Sequence, residues 1–480
     1  MTRLTSISLA GTIGKNYYGI GRDPGVITKT IGTASRDYST ITLWEADLDD
    51  TGTYTSGDDA VGECYNDSTF SESFTLNTGS TLGLSSVLLK PASGEGHDGT
   101  ADTGVKVESY AYGQAKWSNV ASIPSEIRQI DFKRQHNSEF PMITLSFLSS
   151  IINRCIVRNV SGSPQRSHIN TGFGGGSVYN SILYGYTMRY GIEFQSLYGG
   201  FCNIINNTVF AATNANACVY GRNRNYLPEE SIFKNNLLIT QGSAVPYNTA
   251  NLVPSSFANN KNNMTNYSSF PATHFDSSSI AGIDESIQFI STVSGSEDLH
   301  LSGSSDAIGA GQVLTAEYAV DIDGLYKGSV WDIGADQTPA TVTKSIGTSG
   351  RDYSTMAAWE ADLDTQGVYA NGDSAVGECY NDSDFLAGVT INGGSTVGLA
   401  GVTLTAQSGE RHDGTAGTGV RIVSQTNGDG LSGGFSGLTI SFIEVDFNSL
   451  TNSTLYGYGS TYRGLLMHNG NHRGHVFYYD

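Results

Sequence analysis

Two adjacent acids stand close to two arginines and a tyrosine in residues 220–230, YGRNRNYLPEE. A pair of carboxyl groups can act as general acid and as nucleophile or base when a glycosidic bond is hydrolysed. Arginine and tyrosine offer hydrogen bonds and a flat face on which sugar rings stack. The segment therefore predicts a glycan-binding loop, with a loop that binds nothing as the alternative. The candidate binding residues are Arg222, Arg224 and Tyr226, and the candidate catalytic acids are Glu229 and Glu230.

A second candidate for chemistry is the acidic stretch DIDG, residues 321–324. Asp321 and Asp323 alternate as the first ligands of a calcium loop do, but the remaining ligands and the distal glutamate of such a loop are missing. A plain turn is therefore the favoured interpretation. Asp321 and Asp323 are kept as metal candidates with Ca²⁺ as the ion, and no other cofactor is expected.

Two acidic motifs occur twice, at matching positions. One is a histidine followed by an aspartate in a glycine-rich stretch, which suits a general base but also a turn between strands. The other, ECYND, places two acids four residues apart, on the same side of an extended strand. Both are predicted to be structural, with catalysis as the alternative. The pairs are His97 with Asp98, His412 with Asp413, Glu63 with Asp67, and Glu378 with Asp382.

Tyrosine is frequent, with 26 in the chain, and several lie in SILYGYTMRYGIEFQSLYGG, residues 181–200. Exposed tyrosines can stack on sugar rings and donate hydrogen bonds. Tyrosine is also common in strands for reasons of packing. The cluster is therefore compatible with a sugar-binding surface and with an ordinary sheet.

Composition excludes some partners. The net charge is −20 and only 15% of residues are charged, so the positive surface that nucleic acids require is missing. Neutral glycans are unaffected by this charge, whereas anionic polymers need a local basic patch. No segment is apolar enough to span a bilayer, and no membrane partner is expected. The five cysteines are odd in number and form no CxxC, which predicts free, buried thiols.

The chain contains a duplication. Residues 28–108 align with residues 343–423 at a constant offset of 315, with about 50 identities in 81 positions and no gap. We predict a first domain at residues 28–340 and a second, incomplete copy at residues 341–480. Residues 1–27 have no counterpart and are predicted to be an attachment segment or a tail.

Each copy opens with a helical pattern. Ile41, Trp44 and Leu48 are spaced for one face of a helix of about three turns. Asp37 or Ser39 is the expected N-cap. Everything that follows is predicted to be short strands separated by Gly, Asn, Asp and Ser.

An asparagine followed by a short apolar run recurs through the middle of the first copy. The spacing of about 26 to 29 residues is typical of a solenoid whose circuits stack. Equivalent asparagines of stacked circuits can bond amide to amide, so we predict a ladder rather than ligands. The predicted members are Asn153, Asn180, Asn206, Asn235 and Asn262.

Two stretches carry a resemblance to a known superfamily. DYSTITLWEADLD, residues 37–49, resembles the capping helix of pectate-lyase-like right-handed β-helix proteins, which include many phage tailspikes. Residues 298–337, with DLHLSGSSDAIGAG and DIDGLYKGSVWDIGADQ, are similar to the closing pattern of virion-borne or secreted β-helix proteins. The resemblance implies an all-β fold: a right-handed parallel β-helix (solenoid) with a short N-terminal capping helix, duplicated.

The resemblance also implies a function. The expected protein is a phage spike or fibre that displays a β-helix for recognition of a bacterial surface polysaccharide. It would assemble as a homotrimer in the host cytoplasm, consistent with a start that lacks a secretory signal, and contact other virion proteins through residues 1–27. One alternative is a polysaccharide lyase or glycoside hydrolase on the same scaffold, in the virion or extracellular. A second is a purely structural virion element.

Overall fold

In the computed structural model the regular secondary structure of the described residues is mostly β-strand, and most of the strands lie in parallel sheets. Among the described residues, helix is confined to Ile41–Ala46, Met356–Ala361 and the 3₁₀ turn Glu285–Ile287. None of these helices is long and apolar enough to cross a membrane. The predicted all-β class is therefore confirmed. The structure describes residues 24–109, 117–119, 122–135, 140–147, 149–160, 165–172, 175–185, 188–194, 202–211, 215–221, 231–248, 260–270, 276–315, 318–386, 388–425, 431–450, 455–457 and 459–470.

Three parallel sheets make up most of the first copy, within the part of the chain just given. The first sheet has nine strands: Val26–Ile31, Asp59–Cys64, Ser86–Pro91, Ser125–Arg128, Ser150–Asn153, Gly176–Tyr179, Cys202–Ile205, Ile232–Lys234 and Asn260–Lys261. The second has eight: Lys106–Ser109, Asp131–Arg134, Ile156–Asn159, Ile182–Gly185, Thr208–Ala211, Leu237–Thr240, Met264–Thr265 and Ile280–Ala281. The third has seven: Thr75–Leu76, Trp117–Asn119, Ile143–Leu145, Gln165–Thr171, Met188–Phe194, Ala217–Gly221 and Val245–Asn248.

The chain visits the three sheets in turn. Ser150–Asn153 lies in the first sheet, Ile156–Asn159 in the second and Gln165–Thr171 in the third, and Gly176–Tyr179 returns to the first. Each strand pairs in parallel with the strand one circuit further on, for example Ile156 with Ile182. Parallel neighbours need a long connection, and here that connection is made by the strands of the other two sheets.

The main core lies between these sheets. On the second sheet, successive partners in one row are all fully buried, so each circuit places an apolar side chain on the one before. Burying such a side chain contributes about 1.5–3 kcal/mol. This row consists of Phe132, Val157, Leu183, Val209 and Leu238.

Part of the opposite face of the second sheet is covered by a later segment of the same chain. An antiparallel pair of strands, Phe289–Ser291 and Asp298–Leu301, begins this cover. Phe289, Leu299 and Leu301 pack with sheet residues such as Phe210 in a second apolar cluster. Strands buried on both faces are typically near-continuous apolar runs, as in LLIT of Leu237–Thr240.

The second copy repeats this architecture in fewer strands. Its five-stranded parallel sheet consists of Thr341–Ile346, Ser374–Cys379, Gly401–Ala406, Leu438–Ser441 and Thr461–Arg463. Two three-stranded parallel sheets consist of Val389–Ile391, Leu431–Gly433 and Leu455–Gly457, and of Arg421–Val423, Glu444–Asp446 and Leu466–His468. The domain boundaries themselves stay a prediction.

The duplicated block makes the same contacts in both copies. An arginine bonds the aspartate of ECYND, and the tryptophan of the helix donates its indole N–H to a tyrosine hydroxyl. The pairs are Arg36 with Asp67 at 3.1 Å, Arg351 with Asp382 at 3.2 Å, Trp44 with Tyr54 at 3.0 Å, and Trp359 with Tyr369 at 2.9 Å. The block is repeated because it ties the helix and its flanking turns to the adjacent strands.

The helix differs from the prediction in length and in its cap. It spans Ile41–Ala46, and its N-cap is Thr40, whose hydroxyl accepts the N–H of Leu43 at 3.1 Å. Asp37, a predicted cap, instead accepts the N–H of Thr30 at 2.7 Å and is thereby held away from the helix. Leu48 lies in the turn after the helix but is buried, as its spacing predicts.

The asparagines form two rows rather than one. Asn180, Asn206, Asn235 and Asn262 have φ near +50°, a left-handed turn conformation that asparagine tolerates. The predicted member Asn153 is one residue out of register with these four asparagines. Asn153 pairs with Tyr179, the residue before Asn180, so Arg154 takes the turn position. The predicted ladder holds in part, with Asn206 donating to Asn180 at 2.9 Å and Asn180 to Asn153 at 3.2 Å.

The second row follows directly in sequence and is fully buried. Asn207 donates to Oδ1 of Asn236 at 3.1 Å, and Asn236 donates to Oδ1 of Asn263 at 2.9 Å. Each Oδ1 also accepts the backbone N–H of the preceding member. This inner row satisfies buried backbone groups at the corner between two sheets, which is why the motif NN recurs.

All five cysteines are buried and unpaired, as predicted. Burial raises the pKa of every one of these thiols, to about 11 for Cys202. The cysteines therefore pack as small apolar residues rather than as nucleophiles.

Candidate functional site

The loop with the sequence-predicted sugar-binding and catalytic residues lies outside the described residues. This applies to Arg222, Arg224, Tyr226, Glu229 and Glu230, and to residues 1–23 of the predicted attachment segment. Their roles stay predictions.

The histidine–aspartate pair is used by the fold. Nδ1 of His97 accepts the N–H of Gly99 at 3.2 Å, so Nε2 carries the proton and donates to the carbonyl oxygen of Arg154 at 2.9 Å. Asp98 accepts from the backbone of Thr100 and the hydroxyl of Thr103. Burial lowers the pKa of His97. These contacts support the turn interpretation over general base catalysis.

The acids of ECYND do not share a site. Glu63 forms an ion pair with Lys90 at 2.7 Å, whereas Asp67 accepts the N–H of Thr33 at 2.9 Å and bonds Arg36. The strand ends at Cys64, so Asp67 stands in the following turn and the same-side argument does not apply. Both acids have structural partners.

A polar cleft lies where the cover over the second sheet ends. One wall is a row of paired residues on adjacent strands of the second sheet. Along this row the side chains change from charged to aromatic to apolar. The apolar end packs under the antiparallel pair, and the charged end faces the cleft. The row is Glu108, Lys133, Arg158, Tyr184, Phe210 and Ile239.

Two other segments complete the cleft. The turn that carries Asp102 forms one side, and the turn that carries Glu297 and Asp298 forms the other. The cleft has a volume of about 580 Å³, within the range of sites for small organic ligands. The arrangement thus gathers hydrogen-bond donors, acceptors and one aromatic residue in an open groove.

The cations of the cleft are paired with acids. Arg158 donates two hydrogen bonds to Asp131, at 2.9 and 2.7 Å, and also lies 2.7 Å from Asp102. Lys133 lies 3.1 Å from Asp102 and 3.4 Å from Glu108. Burial alone would raise the pKa of Asp102, but the hydrogen bond and charge of Arg158, with those of Lys133, lower this pKa to about 2. The wall is therefore rigid and close to neutral.

Tyr184 is the exception to this pairing. Its side chain is only 4% exposed, and its hydroxyl has no hydrogen-bond partner among the described residues. Burial raises the pKa of Tyr184, so the group is a neutral phenol at physiological pH. A buried hydroxyl normally finds a partner. Tyr184 lines the cleft, but its hydroxyl oxygen is itself buried, so a ligand reaches this oxygen only after a neighbouring side chain moves.

A histidine and several acids meet beside the cleft. Nδ1 of His300 lies 2.6 Å from Oδ1 of Asp298, and Nε2 lies 3.0 Å from Oδ1 of Asp323. Ligand atoms of His300, Asp323 and Asp336 all lie within 4.8 Å of one another. Burial lowers the pKa of His300, but the hydrogen bond and charge of Asp323 outweigh it and raise the pKa to about 10.

The two predicted metal candidates have different surroundings. Asp323 belongs to the cluster around His300, whereas Oδ1 of Asp321 accepts the N–H groups of Asp323 and Leu325 at 3.1 and 2.8 Å. Burial, then the charge of Asp323, raises the pKa of Asp321 to about 7. Within the described part of the chain, Oδ2 of Asp321 is buried without a partner. Asp321 thus forms the predicted turn, and Asp323 extends from it.

Of the tyrosine cluster, Tyr184 and Tyr190 fall within the described residues. Tyr190 stacks on Tyr220 of the next strand, with ring centroids 4.1 Å apart, and is buried. Only Tyr184 lines the cleft. Sequence reasoning missed the row that contains it, although Lys133, Arg158 and Tyr184 occupy one column once the circuits are aligned.

A comparison of the sequence with protein-family models finds no match, and a comparison with curated proteins finds none either.

Proposed function

We propose that the chain is a right-handed parallel β-helix protein of pectate-lyase-like architecture, duplicated, with a capping helix at the start of each copy. The observations that support this are the three parallel sheets visited in turn and the inner asparagine row. A parallel crossover is right-handed in almost all known cases. Ile41–Ala46 and Met356–Ala361, with their buried tryptophans, are the proposed caps.

The function that we propose is recognition of a bacterial surface polysaccharide by a phage spike or fibre. The single observation that carries the recognition is the open polar cleft that Tyr184 lines, beside a buried hydroxyl without a partner among the described residues. Because the cations are already paired and the net charge is −20, the favoured ligand is a neutral sugar.

The virion setting rests on the resemblance of the sequence to tailspikes. Five buried, unpaired cysteines suit assembly in a reducing cytoplasm. The proposal includes a homotrimer and attachment to other virion proteins through residues 1–27.

A polysaccharide-cleaving enzyme is the second candidate. Acids line both sides of the same cleft, with Asp102 on one side and Glu297 and Asp298 on the other. Glycoside hydrolysis needs two carboxyl groups that flank the scissile bond. Recognition is preferred because Asp102 is engaged by Arg158 and Lys133, and Asp298 by His300, which leaves Glu297 as the one acid of this cleft without an ion pair among the described residues.

The test uses purified full-length protein and surface polysaccharides from a panel of bacteria. We expect one polysaccharide to co-elute with the protein without new reducing ends or unsaturated uronate absorbance. Tyr184→Phe should weaken this binding about three- to tenfold, because one hydrogen bond to the ligand is lost. Its unfolding midpoint should not fall, since the hydroxyl has no partner among the residues that the structure describes.

Tyr267→Phe is the matched control, because Tyr267 is 41% exposed and does not line the cleft. Equal binding by Tyr184→Phe and wild type would contradict the proposed site. New reducing ends that disappear in Glu297→Gln would replace recognition by catalysis. Failure of every polysaccharide to bind would favour a purely structural element.

A further inference from the structure

We propose that His300, Asp323 and Asp336 form a binding site for a divalent first-row transition ion such as Zn²⁺, oriented by Asp298. The three side chains come from separate segments of the chain, and their ligand atoms lie within 4.8 Å of one another. This proposal does not depend on what the cleft binds.

The imidazole has the arrangement that metal-binding histidines show. Nδ1 of His300 donates to Asp298 at 2.6 Å, which directs Nε2 towards Asp323 at 3.0 Å. A carboxylate behind the ring fixes the tautomer and increases the basicity of the ligating nitrogen. Asp298 would therefore be the supporting acid, and Nε2 would be the ligand atom after the ion displaces its proton to solvent.

Asp336 is held in place by the backbone. Its Oδ2 accepts the N–H of Leu301 at 2.7 Å, one residue after His300, and its side chain is 5% exposed. The same interaction fixes the position of the strand that carries His300. The two ligands are thus preorganised relative to each other, which reduces the entropy cost of binding an ion.

An unpaired acid beside these atoms indicates room for a ligand. Asp321 is 1% exposed, lies within electrostatic range of Asp323 and Asp336, and its Oδ2 has no partner among the described residues. Gly99 packs closely against the cluster, and a Cβ there would lie 2.2 Å from both Nε2 of His300 and Oδ1 of Asp323. Any residue other than glycine would clash with these two ligand atoms and displace them.

The second copy shows that Gly99 is special to this site. The equivalent Gly414 lies in the same GHDGT or RHDGT turn and has a similar φ, +94° against +80°. A Cβ at Gly414 would meet nothing within 4 Å. The two glycines therefore differ in their surroundings rather than in their backbone conformation.

The ligand set favours a transition ion over calcium. An imidazole with two or three carboxylate oxygens suits Zn²⁺ and its neighbours, whereas Ca²⁺ takes six to eight oxygens. The structure offers three ligands and a fourth acid, Asp321, nearby. This differs from the calcium loop that the sequence suggested.

The experiment is a calorimetric titration of tag-free, chelator-treated full-length protein with Zn²⁺, paired with thermal unfolding with and without the ion. We expect one equivalent to bind per chain and the unfolding midpoint to rise. Asp336→Asn keeps an oxygen for Leu301 but removes a charged ligand, and should weaken binding at least tenfold. His300→Gln should abolish binding.

Gly99→Ala and Gly414→Ala form the matched pair, because both place a side chain at positive φ. Only Gly99→Ala should reduce the affinity for Zn²⁺. Absorption bands of Co²⁺ in a site with one nitrogen and several oxygen ligands provide a readout that does not depend on stability. The proposal is overturned if the wild type binds no Zn²⁺, or if Asp336→Asn and His300→Gln bind as tightly as the wild type.

Discussion

The imidazole of His168 donates a hydrogen bond from Nε2 to the backbone carbonyl oxygen of Tyr184 at 2.8 Å. His168 lies on the third sheet and Tyr184 on the second, so this bond crosses the interior of the stack. Both residues are buried. The residue that we place at the centre of the cleft is therefore positioned from behind by a neutral histidine.

This histidine predicts a pH dependence of stability. Burial lowers the pKa of His168 from 6.5 to about 3, so between these values the unfolded chain binds a proton that the folded chain does not. Stability should therefore decrease as the pH falls below 6.5. The midpoint temperature of thermal unfolding should fall less between pH 7 and pH 5 for His168→Gln than for the wild type. A slope in His168→Gln equal to that of the wild type would contradict the assignment.

The buried ion pair in the cleft predicts a large loss of stability when one partner is removed. Arg158 is 5% exposed and bonds the fully buried Asp131. Arg158→Met leaves that carboxylate buried and unpaired, which costs about 3–5 kcal/mol. The matched change is Arg421→Met, where the partner Asp384 is 38% exposed and the loss should stay below about 1 kcal/mol. Urea unfolding monitored by circular dichroism measures the loss in the free energy of unfolding for both variants. Similar losses in the two variants would show that Asp131 is not desolvated.

The inner asparagine row predicts that a single apolar substitution is costly. Asn236 donates to the carbonyl oxygen of Ile204 at 2.8 Å and to Asn263, and it accepts from Asn207. Asn236→Leu leaves several buried groups without partners, at about 1–3 kcal/mol each. We expect a loss of about 3–5 kcal/mol in the free energy of unfolding. Asn66→Leu, at an exposed position, should change it by less than about 0.5 kcal/mol.

Periodicity made the parallel sheets predictable from the sequence, because an asparagine recurs every 26 to 29 residues, where one parallel strand ends and the next begins. It did not fix the register to the residue, since Asn153 and Arg154 are both polar and only hydrogen bonding shows which takes the turn. The predicted N-cap was wrong for a similar reason. Asp37, Ser39 and Thr40 are all residues that can cap a helix. The bond from Thr30 engages Asp37, and Thr40 caps the helix because its hydroxyl accepts the N–H of Leu43.

The cleft was harder to predict because its members are far apart in the chain. Lys133, Arg158 and Tyr184 meet only after the circuits are placed in register, and the sequence spacing alone gives no reason to choose their column. His300 and Asp336 come together through the fold of the covering segment, which has no period. Asp323 is a candidate from the sequence because acids alternate locally in DIDG.

The duplicated turn before the helix offers an internal test of backbone strain. Ser35 has φ of +55°, whereas the equivalent residue in the second copy is Gly350 with φ of +65°. A left-handed conformation costs about 1–2 kcal/mol for most residues other than glycine, and glycine gives back about 0.4–1 kcal/mol through the unfolded chain. Ser35→Gly should therefore raise the free energy of unfolding by about 0.5–1 kcal/mol. Gly350→Ser should lower it by a similar amount, since a Cβ at Gly350 meets no atom within 4 Å and strain is the main change. Urea unfolding of both variants gives the two values, and changes of the same sign would show that backbone conformation does not set the preference for glycine at this turn.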